Sequence, residues 1–323
     1  MSDTLESLRR KLDGAAKLGS VVRAMKALAA SSIGQYEAAL RALGDYQRSV
    51  EIGLRTCIPG ATVPAPASRS QTPAPIGAIV FGSDQGLVGR FNEVIAEFVL
   101  GKLAAMPGRK QIWGVGDRVC EHLAAAGLTL AGRHALPGSV DAISTLVEQL
   151  QFESEASHSK GECASVFVFN NRPQSVALYG PVSLRLLPLD ARAAAQREHP
   201  GQPSGSFREV LGASDATRSA LVREYLFICV YRACAESLAS ENGSRLVAMQ
   251  SAQKNIEALS AATSRSYYRL RQSSIDEDLF DVMTGFNSLW QKLDVRRAVS
   301  RCALPLRGTP TLETIIRADV PPG

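Results

Sequence analysis

A chain of 323 residues with 45% apolar content and a net charge of +5 is large enough to bury a core and too apolar to be disordered. Its charges alternate in sign without a dominant basic run, which argues against nucleic acid, and no stretch approaches the roughly 20 apolar residues of a membrane span. The start, MSDTLESLRRKLDG, is too polar for a secretory signal, and six cysteines without a CxxC pair point to reduced thiols in a soluble, cytoplasmic protein.

The first proline after the start is Pro59, so residues 1–58 can run as one helix in spite of Gly14, Gly19, Gly34 and Gly44. Stepping three and four residues from Leu5 reaches Leu8, Leu12, Ala15, Gly19, Val22, Lys26, Ala29, Ile33, Tyr36, Leu40, Leu43, Gln47 and Val50. All but Gly19, Lys26 and Gln47 are apolar, a sustained heptad seam. Fifty helical residues reach about 75 Å, more than a globular core covers.

Residues 59–75, PGATVPAPASRSQTPAP, read as an extended linker. Strand and helix patterns then alternate: IGAIVF, a glycine-rich turn, a helix from near Phe91, QIWGVG, DRVCEHLAAAG, LTLAGRHALP and SVDAISTLVEQLQF. ASVFVFNNRPQSVALYGPVSLRLLPL follows as two or more strands joined by an Asn-Asn-Arg-Pro turn. Residues 76–213 are therefore a Rossmann-like α/β domain, ending in a polar connection and inserted between two long helices. The second helix covers residues 214–293, with a seam through Leu226, Val230, Leu238, Leu246, Met249, Ile256, Leu259, Tyr267 and Leu270. The two helices are expected to pair as an antiparallel coiled coil; the shorter alternative folds each back at Gly44 or Gly243. Residues 294–323 remain as an atypical C-terminal extension.

Only GSDQGLVGRFN, from Gly82 to Asn92, invites an active-site reading, because glycines between a strand and a helix can cradle phosphate. It matches neither GxGxxG nor GxxxxGK[ST], so a tight turn built on Gly82, Asp84, Gly86 and Gly89 is the favoured reading. Asp84 has no neighbouring His or second carboxylate in sequence and suits a capping role better than acid–base work. The four histidines are scattered. No catalytic set, cofactor or metal is implied.

VVRAMKALAASS resembles the N-terminal signature of the gamma subunit of F-type ATP synthases, usually (I/V)-T-K-A-M-K-M-V-A-A-S-K. SRLVAMQSAQKNIEAL with YYRLRQSSI resembles that family's C-terminal signature, and GSDQGLVGRFN its T-S-D-R-G-L-C-G-x-x-N loop. Together these span about residues 1–289. The resemblance implies a non-catalytic rotor shaft. Its two terminal helices would turn inside a ring of alpha and beta subunits, and its α/β foot would sit on the membrane c-ring beside the epsilon subunit. Proton or sodium flow would thereby drive ATP synthesis or hydrolysis, at the cytoplasmic face of the bacterial inner membrane. No direct nucleotide binding is expected of the shaft itself.

Carried over by motif, Met25, Lys26, Arg245 and Gln272 are implied contacts of the beta subunit, and Val282, Phe286 and Leu289 a bearing at the shaft tip. Small residues Ala27, Ala29 and Ala30 suit a close approach of two helices in a slim rod. Some positions depart from the family pattern: Ser32, Arg90 and Tyr268 replace its Lys, Gly and Asn, and Phe286 and Asn287 replace two alanines. The competing class is an α/β enzyme that binds a nucleotide at Gly82–Asn92 and dimerises through its helices. A third possibility is a coiled-coil adaptor without rotation.

Overall fold

The structure, a computed structural model, describes residues 4–57, 74–175, 178–189 and 214–302. The linker expected at 59–75 lies outside these except at its end, as do the polar connection before Ser214 and the extension beyond Cys302. In chain order the elements are α1 (Leu5–Cys57), β1 (Ile76–Phe81), α2 (Phe91–Ala104), β2 (Lys110–Val115) and α3 (Asp117–Ala125). After them come β3 (Leu130–His134), α4 (Val140–Ser159), β4 (Ser165–Ser175), β5 (Leu178–Leu187) and α5 (Ser214–Cys302). The helix named α5 is continuous through Gly243 and Gly285 and runs to Cys302 rather than to 293; α1 is continuous through Gly44. No described helix is long and apolar enough to cross a membrane.

The strands form one sheet in the order β3-β2-β1-β4-β5, parallel except for β5 against β4. Central β1 is buried along its whole length, as a strand with neighbours on both edges and layers on both faces must be. Period-two alternation sends Ile79 and Phe81 to a core shared with Ile143, Val147 and Leu150 of α4 and Ile228 and Val230 of α5. Ala78 and Val80 turn the other way, against Ile95 and Val99 of α2 and Val119 and Leu123 of α3. Ser139 caps α4, its hydroxyl accepting from the Ala142 amide.

One expected turn is a strand. Asn170 to Pro173 lie inside β4, and Pro173 pairs with Tyr179 beside a register shift. β4 meets β1 only as far as Phe169, so beyond it Pro173 has no second neighbour that needs an N–H from it.

Two compact units make up the chain. The larger, Ala16–Ala258, holds the sheet domain and an antiparallel pairing of α1 with α5. In it Gly53 faces Leu221, Gln47 bonds Arg232, Lys26 bonds Gln253 and Gly19 faces Ile256. Every position of the α1 seam from Leu5 to Val50 is buried or half-buried. Leu8, Ala15, Val22, Ala29, Tyr36, Leu43, Val50 and Cys57 fall seven residues apart, the repeat that supercoils paired helices left-handedly.

Two details differ from expectation. Of the small residues in VVRAMKALAASS, Val21 to Ser32, only Ala29 is buried, while Ala27 and Ala30 are exposed. On α5, Leu259 is 62% exposed and Ser260 takes the seam, because heptad phase from Gln253 and Ile256 selects position 260 whatever residue occupies it.

The smaller unit comprises Met1–Ala15 and Leu259–Gly323. Its stretch of α5 contains edge-to-face pairs Tyr267–Tyr268 and Phe286–Trp290, with centroids 5.7 and 5.8 Å apart.

Candidate functional site

In a sheet of this order the ligand crevice lies outside the carboxyl ends of β1 and β4, where connections turn to opposite sides. The glycine loop sits there. An added Cβ on Gly82 would stand 2.2 Å from Val119 Cβ, so only glycine lets α3 pack this closely. Gly89 has a φ of +57°. Gly86 has neither requirement: a Cβ there meets nothing within 4 Å, and the left-handed turn falls on its neighbour Leu87, at φ +64°.

Asp84 ties the loop down. Its carboxylate accepts from the Asp117 amide at 3.1 Å, at the start of α3, and from the Leu136 amide at 2.9 Å. The Ser83 amide donates to Asn92 Oδ1 at 2.9 Å, and Asn92 returns a bond to Ser83 Oγ at 2.8 Å. Arg90 pairs with Glu93 at 2.9 Å and with Glu97 at 3.3 Å. The Ser83 amide and the Asn92 and Arg90 side chains are committed within the protein, and Asp84, Glu93 and Asp117 oppose a phosphate, so the loop is better suited to a structural turn than to a nucleotide.

The crevice itself is filled by α5. Ser244 Oγ donates to the Val88 carbonyl at 2.5 Å, and Ser240 Oγ to the Asn171 carbonyl at 3.0 Å. Two motifs separated by about 150 residues thus meet in one place. A cavity of about 830 Å³ does exist, lined by Arg109, Lys110, Leu128, Leu130 and Glu162. It lies at the amino ends of the strands, the wrong edge for the ligand site of such a fold.

The residues singled out by sequence divide sharply. Lys26 Nζ donates to Gln253 Oε1 at 2.9 Å, bridging the helix pair, while Met25 beside it is half-buried. Arg245 is held by its own helix: its Nη2 lies 2.6 Å from Glu241 Oε1, the side chains being 15% and 6% exposed. Arg245 Nε is buried without a protein partner. Burial pushes the Glu241 carboxyl up to about 6, against the opposing pull of Arg245 and with a smaller push from Asp84. Tyr36 of α1, raised first by its own burial, faces the same cluster. Gln272, Val282, Phe286 and Leu289 are exposed, Phe286 by 59%.

Sequence reasoning missed an apolar stripe on α1. Leu18, Val21 and Leu28 are exposed, with half-buried Met25 between them at helical spacing, on a face other than the seam, and Leu28 is 69% exposed. The signal was present as a second periodicity beside the first.

A family profile described as ATP synthase matches residues 4–289. The chain belongs to the ATP synthase family. Among curated family members, the ATP synthase gamma chain of Anaeromyxobacter sp. (strain K) is 27% identical over 299 residues, covering 88% of this chain and 99% of the relative. The gamma chain of Cupriavidus pinatubonensis is 25% identical over 290 residues, with the same coverage. The fold matches the rotor of the Euglena gracilis mitochondrial ATP synthase in rotational state 1, with a TM-score of 0.58 at 14% identity, over 84% of this chain and 98% of that one. It also matches the central stalk/c-ring structure of the Tetrahymena thermophila enzyme, with a TM-score of 0.51 at 20% identity, over 72% of this chain and 99% of that one.

Proposed function

We propose that this chain is the gamma subunit of an F-type ATP synthase, the central rotor shaft that couples proton or sodium translocation to ATP synthesis or hydrolysis. The observation that carries this reading is α5 itself. One continuous helix closes the crevice where an α/β enzyme would bind its substrate, pairs with α1 along a heptad seam, and then bares a row of apolar side chains.

The partners are the alpha and beta subunits of the catalytic ring, the epsilon subunit and the membrane c-ring. The shaft is a peripheral membrane protein at the cytoplasmic face of the bacterial inner membrane. Met25, with Leu18, Val21 and Leu28, offers the beta subunit an apolar stripe that slides without interlocking. Lys26 keeps two donors beyond its bond to Gln253 and a charge that acidic loops feel as they pass. Arg245 presents the exposed part of a guanidinium already oriented by Glu241, and Gln272 a second polar contact. Val282, Phe286 and Leu289 form the bearing at the tip, where contact with a sleeve of apolar groups removes them from water.

Domain roles follow the same division: residues 1–58 and 214–293 make the shaft, 76–213 the foot, and 294–323 an added C-terminal segment. Co-purification of a tagged chain from its native cell tests the whole. Recovery of alpha and beta subunits in threefold excess, together with ATPase activity, is expected; recovery as a free homodimer with bound nucleotide would overturn it.

A further inference from the structure

At the crevice between β1 and β4, one carboxylate organises the junction of sheet and helices. Glu236, buried on α5, accepts from Asn170 Nδ2 at 3.1 Å and from Arg172 Nε at 2.9 Å, both on β4. Arg232 Nε approaches the other Glu236 oxygen at 3.5 Å, and its Nη1 donates to Gln47 Oε1 of α1 at 2.7 Å. Gln47 in turn donates to Glu51 at 2.6 Å. One turn further along α5, Ser240 Oγ bonds the Asn171 carbonyl, and Asn171 Nδ2 donates to the Phe91 carbonyl at 3.1 Å. Around this polar knot α5 is packed into the core through apolar side chains, among them Val230, Ala233 and Leu238.

Apolar packing is non-directional, so a junction made of it alone resists separation better than twist. Charge-assisted hydrogen bonds to a buried carboxylate have fixed lengths and angles, and turning α5 about its axis against β4 breaks them. The broken state leaves Glu236 charged and unpaired away from water, which is the more costly outcome. The polar groups thus supply what the surrounding packing lacks.

We propose that Glu236 is a positioning residue for torque: it locks α5 to β4 and, through Arg232 and Gln47, to α1, so that rotation of the sheet domain turns the helix pair without slack. This rests on the rotor reading above. A crevice that binds ligands in other α/β folds serves here as the socket of a shaft.

The test uses the assembled synthase, with probes on the sheet domain and on the distal part of α5, and measures the width of angular fluctuation between them in single complexes. ATP synthesis and hydrolysis are read on the same preparations. Glu236→Gln breaks the knot at its centre; Arg172→Ala breaks it at a half-exposed side chain whose loss leaves no cavity, so at least one variant assembles. Val147→Ala, a truncation in the same core but outside the knot, controls for lost stability. The expected result is a broadened angular distribution and a loss of synthesis relative to hydrolysis in both knot variants, with wild-type values for Val147→Ala. Wild-type width in both knot variants, or equal broadening in the control, would overturn the proposal. A wild-type complex that does not rotate would overturn the rotor reading and this inference with it.

Discussion

Helix α5 carries two stretches with bulky apolar side chains and opposite fate. From Tyr225 to Met249, bulky residues such as Ile228, Val230 and Leu238 are buried against the sheet, α4 and α1. From Ile275 to Trp290, Ile275, Leu279, Phe280, Val282, Met283, Phe286, Leu289 and Trp290 are all exposed. Hydrophobic character alone does not decide burial; the supply of a second surface within the same chain does. A long exposed apolar row is a surface prepared for another protein.

Truncation of each stretch gives the sharpest contrast. Phe81→Ala or Ile228→Ala, at the core that holds the first stretch, should cost about 3–5 and 2–5 kcal/mol of unfolding free energy respectively, read by denaturant titration. Phe286→Ala in the second should change stability by less than about 0.5 kcal/mol while altering the ATPase of the assembled complex. Equal destabilisation at the two places would erase the distinction between the core and the exposed row.

Residues 27–30 of α1 sharpen the contrast within one turn. Ala29→Leu overpacks a buried seam position and should cost about 1–3 kcal/mol, whereas Ala27→Leu and Ala30→Leu, on exposed positions, should leave thermal stability near wild type.

Acidity separates the buried region from the exposed one as well. Because burial raises the Glu241 carboxyl from 4.5 to about 6, the folded chain binds this proton more tightly than the unfolded chain does. Stability contributed by this group therefore falls as pH rises from about 4.5 through 6, by about 2 kcal/mol in all, and stays level above that. Urea midpoints measured across that window should show the slope, and Glu241→Gln should remove it. The smallest effect is expected at Leu87, exposed in a left-handed turn. Leu87→Gly relieves strain worth roughly 1–2 kcal/mol, less the entropy that glycine loses on folding, for a small net gain in thermal stability.

What was legible in the sequence depended on spacing. The α1 seam shows in its period, and the order of the α/β elements in alternation of pattern and turn, because both follow from local geometry. Phase and partnership were less legible. Leu259 looks like a seam residue by type, yet register places Ser260 there. Asn170 to Pro173 look like a turn by composition, and the strand persists because β5 pairs with that stretch. Leu87, not Gly86, takes the left-handed conformation, a choice set by how Asp84 and Asn92 pin the loop on either side. The Glu236 knot could not be read at all, since it joins residues 64 to 185 positions apart. Intramolecular partners hold both Lys26 and Arg245, a fact that no motif records.

The most direct measurement is a reversible crosslink. A cysteine introduced at the exposed Leu28 is joined by a disulfide to a cysteine in the facing loop of a beta subunit, in the purified complex, and ATP hydrolysis is followed before oxidation, after it, and after reduction. A rotor shaft predicts arrest on oxidation and full recovery on reduction. Hydrolysis that continues undiminished with the crosslink complete would contradict rotation of this chain within the catalytic ring.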